Sequence, residues 1–155
     1  MVPPFQHLLD EHAAALTRHL TALVGPEAAA DAAQEAFLAA LGAYPPRHTA
    51  NLRGWLYTIA HRKVIDAWRV GGRRTDPVAE VPERPMPAPE PADGALWARV
   101  RSLPDAQRAA VVLRYVDDLT YAEIARICGC TEGAARQRVN DALRTLRRTV
   151  TQEDR

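Results

Sequence analysis

The sequence has little of what marks a disulfide-stapled, membrane-spanning or catalytic protein. Only two of its 155 residues are cysteine, Cys128 and Cys130. A C-x-C pair with no nearby histidine or second cysteine pair cannot complete a tetrahedral zinc site, and it cannot staple a framework. The two read as small apolar turn residues in a reducing compartment, and neither a metal nor another cofactor is expected. No apolar run approaches the roughly 20 residues needed to cross a bilayer, and no charged–apolar–small leader opens the chain. Membrane insertion and export are therefore not expected. There is no G-x-S-x-G, no H-E-x-x-H, no phosphate-binding glycine loop and no cluster of carboxylates with histidine. A hydrolase or nuclease is disfavoured, and no catalytic residue is assigned. The adjacent acids Asp117-Asp118 read as a helix-end or turn feature. His12 and His19, seven apart on one helix, read as surface histidines.

Excess charge is also missing. The formal net charge is +1, but it is unevenly spread. Residues 1–69 carry six basic and six acidic groups, residues 70–94 three and five, and residues 95–155 eleven and eight. Phosphate neutralisation supplies most non-specific affinity for DNA, so a lone high-affinity binder would be more basic. If this chain meets DNA, it does so with a partner's help.

What is present is helix. Hydrophobic residues make up 47% of the chain, mostly Ala and Leu, which favour helices over sheet. Residues 5–24 form an amphipathic helix with Phe5, Leu8, Leu9, Leu16, Leu20, Leu23 and Val24 toward one side. Gly25-Pro26 ends it and starts a second helix over 27–41. There Asp31, Gln34, Glu35 and Leu38 share a face at i, i+3, i+4 and i+7, and Phe37 and Leu41 point toward a core. A loop broken by Pro45-Pro46 leads to a third helix, capped near Asn51 and running to Arg69. Leu52, Trp55, Leu56 and Ile59 are expected inside. Gly54, Tyr57, Thr58 and His61 are expected outside, beside Arg62-Lys63, where aromatic and polar groups can hold unstacked bases. Residues 70–94 hold six prolines, no periodicity and many charges, and predict an extended tether. Arg73 and Arg74 are placed at the end of the first domain, within reach of phosphates. A second helical unit follows, from about Leu96, with Leu103-Pro104 as punctuation and Val111, Val112, Leu113 and Val116 as core.

The most informative stretch is Thr120–Arg148. Thr120 and Glu123 form a capping box. Ile124, Ala125 and Ile127 give the short helix an apolar side, Gly129 turns the chain, and Thr131 caps a long basic helix with Glu132 near its positive end. Ala135, Val139, Ala142, Leu143, Leu146 and Val150 form its buried stripe. Arg136, Gln137, Asn140, Arg144, Arg147 and Arg148 fall away from the stripe. Five arginines face one acid, Asp141, over residues 136–148. A helix–turn–helix with Arg, Gln and Asn near the start of its second helix suits a major groove. Arg pairs with guanine edges, Asn or Gln with adenine edges, and the remaining arginines with phosphates.

The order of these segments resembles bacterial RNA polymerase sigma factors of the extracytoplasmic-function (ECF) type, over nearly the whole chain. Asp31–Leu38 resembles the family's region-two segment that docks on the clamp helices of the polymerase largest subunit. Asn51–Arg69 resembles the neighbouring segment that melts and reads the minus-ten element. Leu103–Tyr115, Leu119–Ala125 and Gly129–Val139 resemble region four, which reads the minus-thirty-five element. The resemblance implies an all-α fold of two small helical domains, 1–69 and 95–155, with 70–94 as a Pro-rich flexible linker passing near the RNA exit path. It implies a cytoplasmic, non-enzymatic subunit that binds core RNA polymerase at clamp helices and flap, and promoter DNA. It also implies an anti-sigma protein that wraps both domains. Asp31, Gln34, Glu35 and Leu38 would contact polymerase. The loop Tyr44–Ala50 would help capture a flipped base, with Tyr57, His61 and Arg62 nearby; extruding a base costs a few kcal/mol, which the partner's binding must offset. Arg136, Gln137 and Asn140 would face bases or adjacent backbone, with Arg138, Arg144 and Arg147 toward phosphates. His61 stands where many members carry Asn, Ala134-Ala135 replaces Thr-Val, and Asn140-Asp141 replaces bulkier or basic residues, so the promoter sequence does not transfer. The second domain ends near Arg155, so no C-terminal regulatory domain is expected. The competing reading is a helix–turn–helix regulator that is not a polymerase subunit and uses its first domain to oligomerise.

Overall fold

In the computed structural model, residues 2–48, 50–73 and 94–153 are described. Among them the chain forms seven helices: α1 Phe5–Val24, α2 Pro26–Ala43, α3 Leu52–Arg73, α4 Gly94–Arg101, α5 Asp105–Tyr115, α6 Tyr121–Cys128 and α7 Glu132–Glu153. Each boundary has a local cause. Gly25 ends α1 at φ 87°, where its N–H bonds Thr21 O at 2.9 Å, and Pro26 opens α2 with a preset φ. Asn51 Oδ1 accepts from Gly54 N–H at 2.9 Å and caps α3. A Cβ at Gly54 would sit 2.6 Å from Asn51 Nδ2 and would displace the capping side chain. Thr120 and Thr131 cap α6 and α7 by accepting from Glu123 N–H at 3.2 Å and Ala134 N–H at 3.0 Å. Gly129 leaves α6 at φ 67°, a left-handed turn that glycine adopts without a Cβ clash.

The third helix is longer than expected. It passes Arg69 and continues through Val70 and Gly71-Gly72 to Arg73, since glycine weakens a helix without ending it. At the other end of the expected tether, Gly94 already belongs to α4. The rest of that tether, residues 74–93, lies outside the described residues.

The first three helices pack around Leu16, Leu20, Leu23, Leu56, Ala60 and Val64, with the alanines of α2 allowing close approach. The last helices pack around Val112, Leu113, Ile124, Ala135, Val139 and Ala142. These are one continuous core, because α1 and α3 also pack against α4, α5 and α6. Each fully buried leucine contributes roughly 1.5–3 kcal/mol of hydrophobic stabilisation. Two expected core residues lie outside. Leu41 is 54% exposed and Val150 is 42% exposed; the first lies at an open groove between α1 and α2, and burial fades along the last turns of α7. No helix among the described residues is long and apolar enough to cross a membrane.

Candidate nucleic-acid and polymerase interfaces

On α2, Asp31, Gln34, Glu35 and Leu38 are all exposed on one face, as their spacing requires. Leu38 is 61% exposed. With Leu41 and Phe37 of α2 and Phe5 and Leu9 of α1 it lines an open apolar groove. An exposed pair of leucines in an apolar groove with Gln34 suits a protein partner better than solvent. Leu41, expected in the core, belongs to this groove, and its place seven residues after Gln34 was the available signal.

On α7, Arg136, Gln137, Asn140, Arg144, Arg147 and Arg148 are exposed along the helix. Several are already oriented. Arg136 lies over the Tyr121 ring at 4.9 Å and 4.0 Å from Glu132. Gln137 donates to Asp141 at 2.9 Å, and Arg144 approaches the same carboxylate at 3.6 Å. Asp141 thus organises the side chains on either side of it, and their donors partly neutralise an acid on a face otherwise suited to DNA. Arg138 departs from this set. It is half-buried, and its charge acts to lower the pKa values of His61 and Cys128. Burial, with Cys130 as a second cause, pushes the Cys128 thiol up to about 12.

On α3 the expectations are corrected. Tyr57 is fully buried, not outward. Its hydroxyl donates to Asp117 Oδ1 at 3.2 Å, its ring lies edge-on to His19, and Arg53 sits 5.4 Å over its face. Burial, and then the Asp117 carboxylate, push its hydroxyl up to about 12. His61 is half-buried, and burial first, then His19, Arg138 and Arg62, lower its pKa to about 4. His19 is not a surface histidine: it is 1% exposed and paired through Nδ1 with Asp117 Oδ2. Asp117 lies in the expected turn, but its carboxylate is buried. His19 and Asp117 are buried where the α5–α6 turn meets α1 and α3. Tyr57 and His61 share one physical reason. The face of α3 that periodicity assigned to solvent is covered by α5 and α6. Arg62 alone of the three expected DNA contacts on α3 is exposed. In the preceding loop Tyr44 packs between Phe5 and Trp55, at 5.3 and 6.0 Å, and its hydroxyl donates to Pro3 O; Thr49 lies outside the described residues. Beside Tyr57, a cleft of about 200 Å³ remains between Arg53 and Thr58 of α3 and Glu123 and Arg126 of α6.

No cluster of three or more metal-ligating side chains occurs among the described residues. These features define a helical protein with a helix–turn–helix and a separate exposed apolar groove. The sigma-70 region 2 family model matches residues 8–74, and the sigma-70 region 4 model matches residues 93–146. The chain is 36% identical over 155 residues to the ECF RNA polymerase sigma factor SigL of Mycobacterium tuberculosis, covering 92% of this chain and 86% of that one. It is 34% identical over 131 residues to the ECF sigma factor ShbA of Streptomyces griseus, covering 76% and 69%. It is 31% identical over 158 residues to SigE of Mycolicibacterium smegmatis, of which it spans 61%. Among solved structures, the sigma factor RpoE, crystallised with the anti-sigma factor NepR from Bartonella quintana, superposes with TM-score 0.80 at 25% identity, over 95% of this chain and 96% of that one. CnrH, in complex with the cytosolic domain of CnrY, shares the fold, with TM-score 0.69 at 20% identity over 95% and 87%. The chain belongs to the ECF RNA polymerase sigma factors, a family of transcription-initiation factors rather than enzymes.

Proposed function

We propose that this chain binds core RNA polymerase through the α2 face bearing Asp31, Gln34, Glu35 and Leu38, extended by Leu41, and directs it to promoters. In this reading Arg136, Gln137 and Asn140 read duplex edges of the minus-thirty-five element. Arg144 and Arg147 hold phosphates. The α3 segment containing Tyr57, His61 and Arg62 engages the opened minus-ten strand. The observation that supports the reading is the pair of separate, exposed surfaces, one on α2 with an apolar groove and the exposed acids Asp31 and Glu35, one basic and amide-bearing on α7. Direct readout by bidentate Arg, Gln and Asn is worth about 1–3 kcal/mol per base pair, and polymerase supplies the remaining affinity that a net charge of +1 does not. The RpoE complex supports an anti-sigma protein as a further partner class. The cytoplasm, where polymerase works, is the proposed compartment.

The test is run-off transcription with sigma-free bacterial core polymerase and a pool of host genomic fragments. Discrete transcripts that vanish with Gln34→Lys and Glu35→Lys are expected. No transcripts and no co-elution with core polymerase would leave a DNA-binding regulator instead.

A further inference from the structure

Asp141 is the single acid among five arginines over residues 136–148 of α7. An acid on a face that meets phosphates lowers affinity for duplexes of every sequence alike. Its contacts give it a different use. Its Oδ1 accepts a hydrogen bond from Gln137 Nε2 at 2.9 Å, one turn earlier on the helix. Arg144 Nη1 lies 3.6 Å from the same oxygen, too far for a good hydrogen bond but near enough to offset its charge. Gln137 is therefore the side chain that Asp141 orients.

A carboxylate only accepts, so an amide that meets it must turn its nitrogen toward it. Chemistry thus fixes which end of Gln137 faces Asp141. A glutamine amide has two N–H donors and one carbonyl acceptor. Asp141 occupies one donor. Gln137 keeps one donor and the acceptor for a base.

That remainder discriminates between the purines. Adenine offers the major groove an acceptor, N7, and a donor, N6–H, which the free N–H and carbonyl of Gln137 match as a pair. Guanine offers two acceptors, N7 and O6. Satisfying both takes two donors, and only one is left. The Gln137 carbonyl would then face a second acceptor, and an unmatched polar group costs most where water is displaced. A glutamine without this neighbour can turn both N–H groups onto guanine.

We propose that Asp141 is a specificity-determining residue. By holding one N–H of Gln137, it makes that side chain select adenine over guanine at one base pair of the recognised element. Asp141 acts through Gln137 and touches no base, so it is a positioning residue. The proposal rests on the reading above that Gln137 faces duplex edges.

The experiment uses the full chain with core polymerase, and beside it the full chain alone at low salt. Each is offered a pool of duplexes with a randomised segment, and the bound duplexes are sequenced. Wild type should favour adenine over guanine at one base pair by about fivefold or more, the scale of one hydrogen bond. Gln137→Ala should erase the preference there. Asp141→Ala should bring adenine and guanine at that base pair to within about twofold, less than one hydrogen bond is worth, and leave the other positions as in wild type. In the Gln137→Ala background, Asp141→Ala should change nothing at that base pair. Circular dichroism should match wild type throughout, since neither side chain is buried.

Tighter binding of Asp141→Ala to all sequences, with the adenine preference intact, would overturn the proposal and leave Gln137 as a base reader. A shift of equal size in the Gln137→Ala background would also overturn it, since Asp141 would then act independently. So would any base but adenine favoured at that base pair by wild type. Unchanged preferences in Gln137→Ala would overturn the placing of Gln137 at base edges. Enrichment of no element, with polymerase or without it, would overturn duplex readout by α7. The proposal falls with either.

Discussion

At Asp118 the backbone enters the left-handed region, with φ 55°. The turn there leaves Asp118 exposed while Asp117 is buried. A short polar side chain tolerates this conformation and a β-branched one does not. Asp118→Gly should stay within ~0.5 kcal/mol of wild type, and Asp118→Val should cost about 1–2 kcal/mol in urea denaturation. His61 sets a pH dependence. Its folded pKa of about 4 lies below the ordinary value of 6.5, so the unfolded chain takes up the proton first. Stability should be unaffected by His61 above pH 6.5, fall between pH 6.5 and 4, and level off below that. The full loss is on the order of 3 kcal/mol. His61→Asn should flatten that part of the curve, measured by denaturation at a series of pH values. These residues also show where sequence reading stops. Tyr57, His19 and Asp117 are polar or amphipathic, and on an isolated helix or turn they read as surface. Their mutual contacts make them interior, and Asp117 lies 98 residues from His19 and 60 from Tyr57, beyond the reach of any local pattern.

At the scale of elements the sequence was far more legible, because caps and turns are local. Asn51, Thr120, Thr131, Gly25 and Gly129 each act where their chemistry requires. Gly129→Ala and Thr120→Ala should each destabilise by about 1 kcal/mol in thermal or chemical melts, the first by forcing a Cβ into a left-handed turn and the second by losing a cap. Where a stop signal was ambiguous the reading failed. The tether was expected to begin at Val70, and residues 70–73 are helix. On α2, Leu38 and Leu41 contribute little to the core. Leu38→Asp and Leu41→Asp should therefore leave the melting temperature within a few degrees, roughly the shift expected of exposed positions. They should weaken pull-down of core polymerase by tenfold or more, about what losing a buried interface leucine implies. Retained binding in both would move the docking surface elsewhere.

For the whole molecule, the distribution of charge limits autonomy. The exposed arginines of α7 face an otherwise nearly neutral body, so binding of the free chain to duplex DNA should be weak and strongly salt-dependent. Arg144→Ala or Arg147→Ala should each reduce the slope of log affinity against log salt by about one, without changing sequence preference. A shift in preference with no change in slope would make these residues base readers. The arrangement of the two halves was the least legible feature. It rests on contacts between residues as far apart as 98 positions, which no local pattern encodes.

A core shared by α1 and α3 with α5 and α6 also bears on what the covalent connection does. If residues 2–73 and 94–153 were made as separate polypeptides, each would present the complement of the other's apolar and ionic surface. They should reassociate as a non-covalent pair, with the intervening residues acting chiefly to raise the local concentration of one partner for the other.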